Sequence, residues 1–362
     1  MTGRIITPFG AAGVAVTVFV ILVASYFVAR TPGDVLGDSI VKTTTPSTDH
    51  TEVGYTLPSG RSAADVGKDL QKLGIIKSGQ QFEFLVGLMG VQSKLGSGDY
   101  LLKKNSSALA VVNDITVRKP VPVLKVTFPE GIRVEEMAVI AEKAGFGPRD
   151  EFMAAVARAQ LPPGFAESHP AGAGLEGYLF PDTYIMRVGA TPDELIAYML
   201  ETLQQRFTPE LRTAAQSHGL NPHQALTLAS IVEREAVIAK ERPLIAGVFY
   251  NRLAAGDALG ADPTVQYAVS LLPGAVEKSG YWKKELTAED LQIDSPYNTR
   301  KFPGLPPGPI ANPGLASIEA VANPETTKMY YFVADAKAAD GSHIFAETLA
   351  EHERNIAQYG SP

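Results

Sequence analysis

The sequence predicts an α+β protein carried behind a single N-terminal transmembrane helix. Three observations point there. A charge-free apolar run opens the chain, a short strand–helix–helix pattern occurs twice in the middle, and longer helical patterns alternate with strand-like segments in the C-terminal half. The chain has 362 residues, enough for two or three domains, and 45% of them are hydrophobic. The net charge of -7 argues against a nucleic-acid surface. There is no Cys, so neither a disulfide framework nor a thiolate metal site is available.

From Ile5 to Ala29 no residue is charged. The run Phe9 to Val28 is long enough to cross a bilayer as a helix, and Tyr26 and Phe27 sit where interfacial rings are favoured. A cleaved signal peptide is the competing reading. Only Arg4 supplies a positive n-region, and Val23-Ala-Ser25 is a poor cleavage site, so a retained anchor is expected over residues 1–30. Residues 31–52, rich in Thr, Ser, Pro and Asp, read as a flexible linker.

A domain is expected over residues 53–118. Tyr55-Thr-Leu-Pro-Ser-Gly60 reads as a strand ending in a turn. Ser62 is placed to cap a helix running to Leu73, a second helix spans Gly79 to Leu88, and Gly98 to Leu102 returns as a strand. Elements of the pattern recur. Thr127-Phe-Pro-Glu-Gly131 matches Thr56-Leu-Pro-Ser-Gly60, and Lys143-Ala-Gly145 matches Lys72-Leu-Gly74, both at an offset of 71 residues. The strand–helix–helix–strand unit resembles the LysM fold, a binder of N-acetylglucosamine-containing glycans. No compact sugar-binding loop is visible, so a spacer role stays open.

The larger α+β domain is expected over residues 119–362. Leu226 to Ala239 lacks Gly and Pro and reads as a helix. At about 100° per residue, Leu228, Ile231, Val232, Ile238 and Ala239 form an apolar stripe with Glu235 in its middle, while Glu233 points to the polar side with Lys240. A carboxyl in apolar surroundings is pushed toward its protonated form, and a protonated carboxyl can act as a general acid. A structural ion pair with Arg242 would explain the same position. Leu175 to Tyr184 offers Glu176, Tyr178 and Asp182 as sugar contacts, with a turn-capping role for Asp182 as the alternative. Pro243 fits the first turn of a further helix, and Asp262 is placed to cap a helix starting at Pro263. The Pro/Gly-rich stretch 295–314 suits a cleft wall. Met329 to Val333 reads as a buried strand with Gly341 to Phe345 as its hairpin partner, and Leu349 to Tyr359 as a closing helix. The six His are scattered without an HExxH pattern, no G-x-S-x-G elbow and no phosphate-cradling loop occurs, and no metal or cofactor is expected.

Taken together, Leu175 to Tyr184, Ala229-Ser-Ile-Val-Glu-Arg-Glu235, Val248-Phe-Tyr-Asn-Arg-Leu253, Asp262-Pro-Thr264, Tyr297-Asn-Thr299, Gly304-Leu-Pro-Pro-Gly308 and Asn312-Pro-Gly314 resemble the endolytic murein transglycosylases with a YceG-like domain. The resemblance is colinear and covers nearly the whole chain. It implies cleavage within peptidoglycan glycan strands to leave 1,6-anhydro-N-acetylmuramic acid ends, with Glu235 as the catalytic acid. Substrate contacts are expected from Glu176, Tyr178, Asp182, Glu241, Asp262, Gln266, Tyr297, Asn298 and Thr299. It further implies a cytoplasmic-membrane protein whose catalytic part lies outside the cytoplasm and which works beside peptidoglycan synthases to limit strand length. A muramidase using water, with Glu241, Glu176 or Asp262 as second carboxylate, and a non-catalytic glycan-binding scaffold are the competing functions.

Overall fold

The computed structural model describes residues 52–117 and 122–360. The expected anchor, the linker up to Thr51 and residues 118–121 at the expected domain boundary lie outside the described residues. Among the described residues no helix is long and apolar enough to cross a membrane. The chain is mixed α and β, and its contacts divide it at Val123 into two compact units, with Ile185–Val188 grouped with the first.

In the first unit β1 (Glu52–Leu57) pairs antiparallel with β2 (Gly98–Lys103), from Glu52 opposite Lys103 to Leu57 opposite Gly98. Alternation along β1 sends Val53, Tyr55 and Leu57 into the core. Between the strands run α1 (Ala63–Lys72) and α2 (Gly79–Met89). Ser62 caps α1 by accepting from the Asp65 N–H, and Ser78 caps α2 from Gln81. The two helices approach so closely at Gly67 and Gly79 that a Cβ on either would strike the other's backbone. Helix α3 (Ala108–Val117) follows β2.

The strand–helix–helix–strand order then repeats. Strand β3 (Val123–Thr127) leads into α4 (Val134–Lys143) and α5 (Arg149–Arg158), and β4 (Thr183–Arg187) pairs with β3. Helices α1 and α4 are each ten residues long and stand 71 residues apart at both ends. The repeat legible in two short motifs is therefore a repeat of structure.

The second unit continues with α6 (Pro192–Arg206), α7 (Pro209–Ser217), α8 (Pro222–Glu235), α9 (Arg242–Ala255), α10 (Asp262–Ser270), two short helices α11 (Ala275–Ser279) and α12 (Ala288–Leu291), and α13 (Leu315–Ala322). Each of α6, α7, α8, α9 and α10 carries Pro in its first turn, where its missing N–H costs nothing. Helix α8 lies at the centre and packs on α7, α9, α10 and α13. Strand β5 (Tyr331–Ala334) pairs antiparallel with β6 (His343–Ala346), and α14 (Leu349–Tyr359) packs on both. Strand β5 is half-buried, not buried as its composition suggested, because Tyr331, Phe332 and Val333 line an open cleft. The 295–314 stretch also differs from expectation. Gly308 to Gly314 is buried throughout, and only Arg300 of the stretch reaches the cleft.

Candidate active site

Helix α8 starts at a capping box, with Asn221 and Gln224 satisfying each other's backbone N–H, and ends at Glu235. Ala236 is already extended, and Ala239 to Glu241 form a separate 3-10 turn. The helix has the expected 14 residues but is shifted, starting at Pro222 and ending four residues before Ala239. Nothing between Glu235 and Ala239 is a local breaker, so the chain turns here to place α9 against α8. Ile238 and Ala239 therefore contribute nothing to the apolar stripe. Glu235 still follows Ile231 and Val232, both fully buried, by four and three residues.

The polar-side placement of Glu233 is overturned. Its side chain is buried, ion-paired to Arg242 at 3.3 Å, and accepts the Gly314 N–H at 3.0 Å. Arg242 and the Gly314 N–H, not solvent, meet the face of α8 that Glu233 occupies. Arg242 thus makes the structural ion pair, but with Glu233.

Glu235 opens into a cleft of about 510 Å³ that it shares with Asp262, Arg252, Arg300, His343 and β5. Its carboxyl has no hydrogen-bond partner among the described residues. Burial pushes its pKa from 4.5 to about 8; Asp262 adds to the rise, while Arg300 and Arg234 oppose it. Asp262 is the first residue of α10, not its cap, and its carboxylate takes the Arg300 Nε–H at 2.5 Å. Arg252 is fixed by the Ala258 carbonyl at 2.8 Å and stacks over Tyr331, 5.2 Å from the ring centre.

The remaining expected contacts divide. Glu241 stands behind the cleft, accepting from His343 Nδ1 at 2.8 Å and from the His343 N–H at 3.2 Å. Glu176 accepts from the Val134 N–H at 3.2 Å and from Asn312 Nδ2 at 2.8 Å, a closed arrangement that ties α4 to the 312 turn. Tyr178 is fully buried and meets His223 Nδ1 at 2.8 Å. Asp182 accepts from the Thr183 N–H and from Arg206, the turn role named as its alternative. Gln266 donates to the Lys283 carbonyl at 2.8 Å, and Tyr297 packs on Tyr267 at 4.7 Å. Asn298 and Thr299 are buried: Asn298 bonds the Leu291 and Ile293 carbonyls, and Thr299 holds the start of α10 through the Ala261 N–H and Thr264. Of the ten expected residues only Glu235 and Asp262 line the cleft. Tyr178, Asn298 and Thr299 are enclosed by protein, because motif density marks packing as readily as contact with a ligand.

Sequence reasoning missed Arg252, Arg300 and His343. Arg252 lay inside a motif already singled out, and Arg300 directly follows Tyr297-Asn-Thr299. His343 gave no signal, since its partner Glu241 is remote in sequence. Among the described residues no group of three His, Cys, Asp or Glu is placed to hold a metal ion.

The sequence profile of the YceG-like family matches residues 55–358. The chain belongs to the YceG-like family. An endolytic murein transglycosylase of Bacillus subtilis (strain 168) is 32% identical over 324 residues, covering 85% of each chain. A second protein of that name, from Streptococcus pneumoniae serotype 2, is 33% identical over 345 residues, with 89% of this chain spanning 60% of the streptococcal protein. Among solved structures, a YceG-like protein from Listeria monocytogenes aligns with a TM-score of 0.54 at 29% identity, over 84% of this chain and 98% of that one. The mixed α and β architecture is that of this YceG-like fold.

Proposed function

We propose that this chain is an endolytic peptidoglycan lytic transglycosylase with Glu235 as its acid and base. The observation that carries the reading is an unpaired, half-buried carboxyl facing a cleft and protonated near neutral pH. Membership of the YceG-like family and the names of the relatives agree with it. Glu235 gives its proton to the glycosidic oxygen as the C1–O bond breaks. The C6 hydroxyl of the same N-acetylmuramic acid closes on C1, and its proton passes to the Glu235 carboxylate. The acid is regenerated, no water is consumed, and a 1,6-anhydro end results. An intramolecular nucleophile needs no second catalytic carboxylate and avoids the entropic cost of recruiting water.

Hydrolysis is the second reading, because Asp262 lines the same cleft. The Arg300 ion pair already engages Asp262, and Glu241 and Glu176 are occupied elsewhere. Mass spectrometry of the products from purified glycan strands tests both readings. Anhydro ends support transglycosylation, reducing ends support hydrolysis, and uncut strands would leave a glycan-binding scaffold.

The anchor is also part of the proposal. The charge-free run Ile5 to Ala29 supports an uncleaved single-pass helix in the cytoplasmic membrane, with the catalytic part outside. An N-terminus near Tyr26 in membrane-extracted protein would refute it. The strand–helix–helix–strand order of residues 53–118 supports a LysM-like unit, as glycan binder or spacer. Deleting it should weaken binding to polymeric peptidoglycan if it is a binder.

A further inference from the structure

Glu241 was expected to touch substrate, yet its carboxylate is spent on His343. Oε2 lies 2.8 Å from Nδ1 and Oε1 accepts the His343 backbone N–H at 3.2 Å. A ring nitrogen this close to a carboxylate carries its proton there, so in the neutral ring Nε2 keeps a lone pair. The ring is also clamped. It sits edge-on to Phe332 at 5.3 Å and is held against Phe345 at 6.3 Å, on a strand registered with Ala334 opposite His343. Its side chain is 7% exposed, and that remainder lies on the cleft wall that Glu235 also lines. Nε2 has no partner among the described residues. Nε2 is not one of the sealed, unpaired side-chain atoms of the described residues, so it stays open to the cleft, where a bound donor can meet it.

We propose that His343, oriented by Glu241, is a second substrate-contacting group of the Glu235 cleft, its Nε2 accepting a hydrogen bond from a hydroxyl or N-acetyl N–H of the glycan. The inference rests on the transglycosylase reading and adds a residue to it. Glu241 is then a positioning residue. It fixes the tautomer from behind, as carboxylates orient the imidazoles of other active sites. A purely structural pair, pinning the β5–β6 hairpin to the turn before α9, would need the same two bonds but not the open nitrogen.

The test uses the full chain in detergent. In the Glu235→Gln background, which holds glycan without cutting it, affinity for peptide-free glycan oligomers is measured by calorimetry. His343→Ala should weaken binding about tenfold or more with the fold retained. Glu241→Gln is the sharper variant. Its amide oxygen keeps the His343 N–H while its NH₂ donates to Nδ1, which moves the ring proton to Nε2. Histidine-selective 15N spectra should show that move, and binding should fall as in His343→Ala. With Glu235 present, both variants should lose about tenfold or more in kcat/KM, mainly through KM. His343→Gln, whose amide can reach the same space, should recover part of it. Unchanged affinity with the proton shown on Nε2 would overturn the proposal. So would a loss of binding that only follows loss of fold while Glu241→Gln binds normally. If the wild type cleaves strands and Glu235→Gln does not, indifference of His343 sinks this inference alone; a wild type that cuts nothing sinks the transglycosylase reading instead.

Discussion

Replacing Glu235 by Gln keeps the side chain's shape but removes its proton. With the folded carboxyl at about 8 and its ordinary value at 4.5, the native protein holds a proton between those pH values that the unfolded chain has released. Native stability must therefore fall as pH rises through this window, by up to about 1.4 kcal/mol per pH unit, and level off above it. Gln carries no such dependence. The stability of Glu235→Gln relative to wild type should be unchanged near pH 4 and should grow to about 3 kcal/mol in its favour by pH 7. Urea unfolding of both proteins at pH 4.5, 5.5, 6.5 and 7.5 reads that difference directly. Activity should move the other way. Glycan cleavage should drop on the order of 10² to 10⁴-fold or more, since one group serves as acid and base. In the wild type, kcat/KM should fall as pH rises through about 8. A flat stability difference across pH would show that the carboxyl is ionised at little cost and would remove the physical basis for its role as acid. Loss of activity with a collapsed melting temperature would make Glu235 a structural group.

Other perturbations bear on the same frame. Asp262→Asn should move the alkaline limb of the pH–rate profile down, because Asp262 raises the Glu235 pKa, and Arg300→Ala should move it up; movement of both in one direction would refute this account of the shift. Both side chains are substantially exposed, so the two variants should alter stability by less than about 1 kcal/mol in urea titrations. Glu233→Ala should destabilise by about 3 to 5 kcal/mol, since it strands a nearly buried Arg242 and leaves the Gly314 N–H unpaired; a near-neutral result would restore the solvent-facing placement. Gly177→Ala should lower the melting temperature sharply, because Gly177 has φ of 84° and a Cβ there would strike the Pro309 ring; calorimetric scanning that shows no change would disprove the strain.

Local signals were legible where local physics decides. Ser62 and the first-turn prolines Pro243 and Pro263 marked helix starts, and Leu349 to Tyr359 is a helix end to end as read. The 71-residue offset foretold a structural repeat because each copy rebuilds the same turn into the same helix. Long-range pairings were not legible. The Gly314 N–H reaches Glu233 from 81 residues away, and Val134 and Asn312 reach Glu176 from 42 and 136, distances that no periodicity reveals. Aromatic and polar density around Tyr178, Asn298 and Thr299 announced a tightly built core under the cleft, not its surface.

The helical wheel chose Glu235 over Glu233, and its reasons were only half sound. It assumed a helix continuing to Ala239 and a polar face for Glu233; the structure has neither. What separates the two carboxyls is the helix end. Glu233 lies inside the last turn, within reach of Arg242 and of the N–H preceding α13, so its charge is compensated and of no use to a substrate. Glu235 occupies the final helical position, where the chain turns away and leaves a cleft. A carboxylate at a helix C-terminus also faces the negative end of the backbone dipole, which disfavours its ionised form in the same sense as burial. Two carboxyls separated by one residue thus meet opposite surroundings, one tied to Arg242 and the Gly314 N–H, the other pushed toward its protonated form and free to give its proton away. That division of a sequence pair by environment is what general-acid catalysis near neutral pH requires.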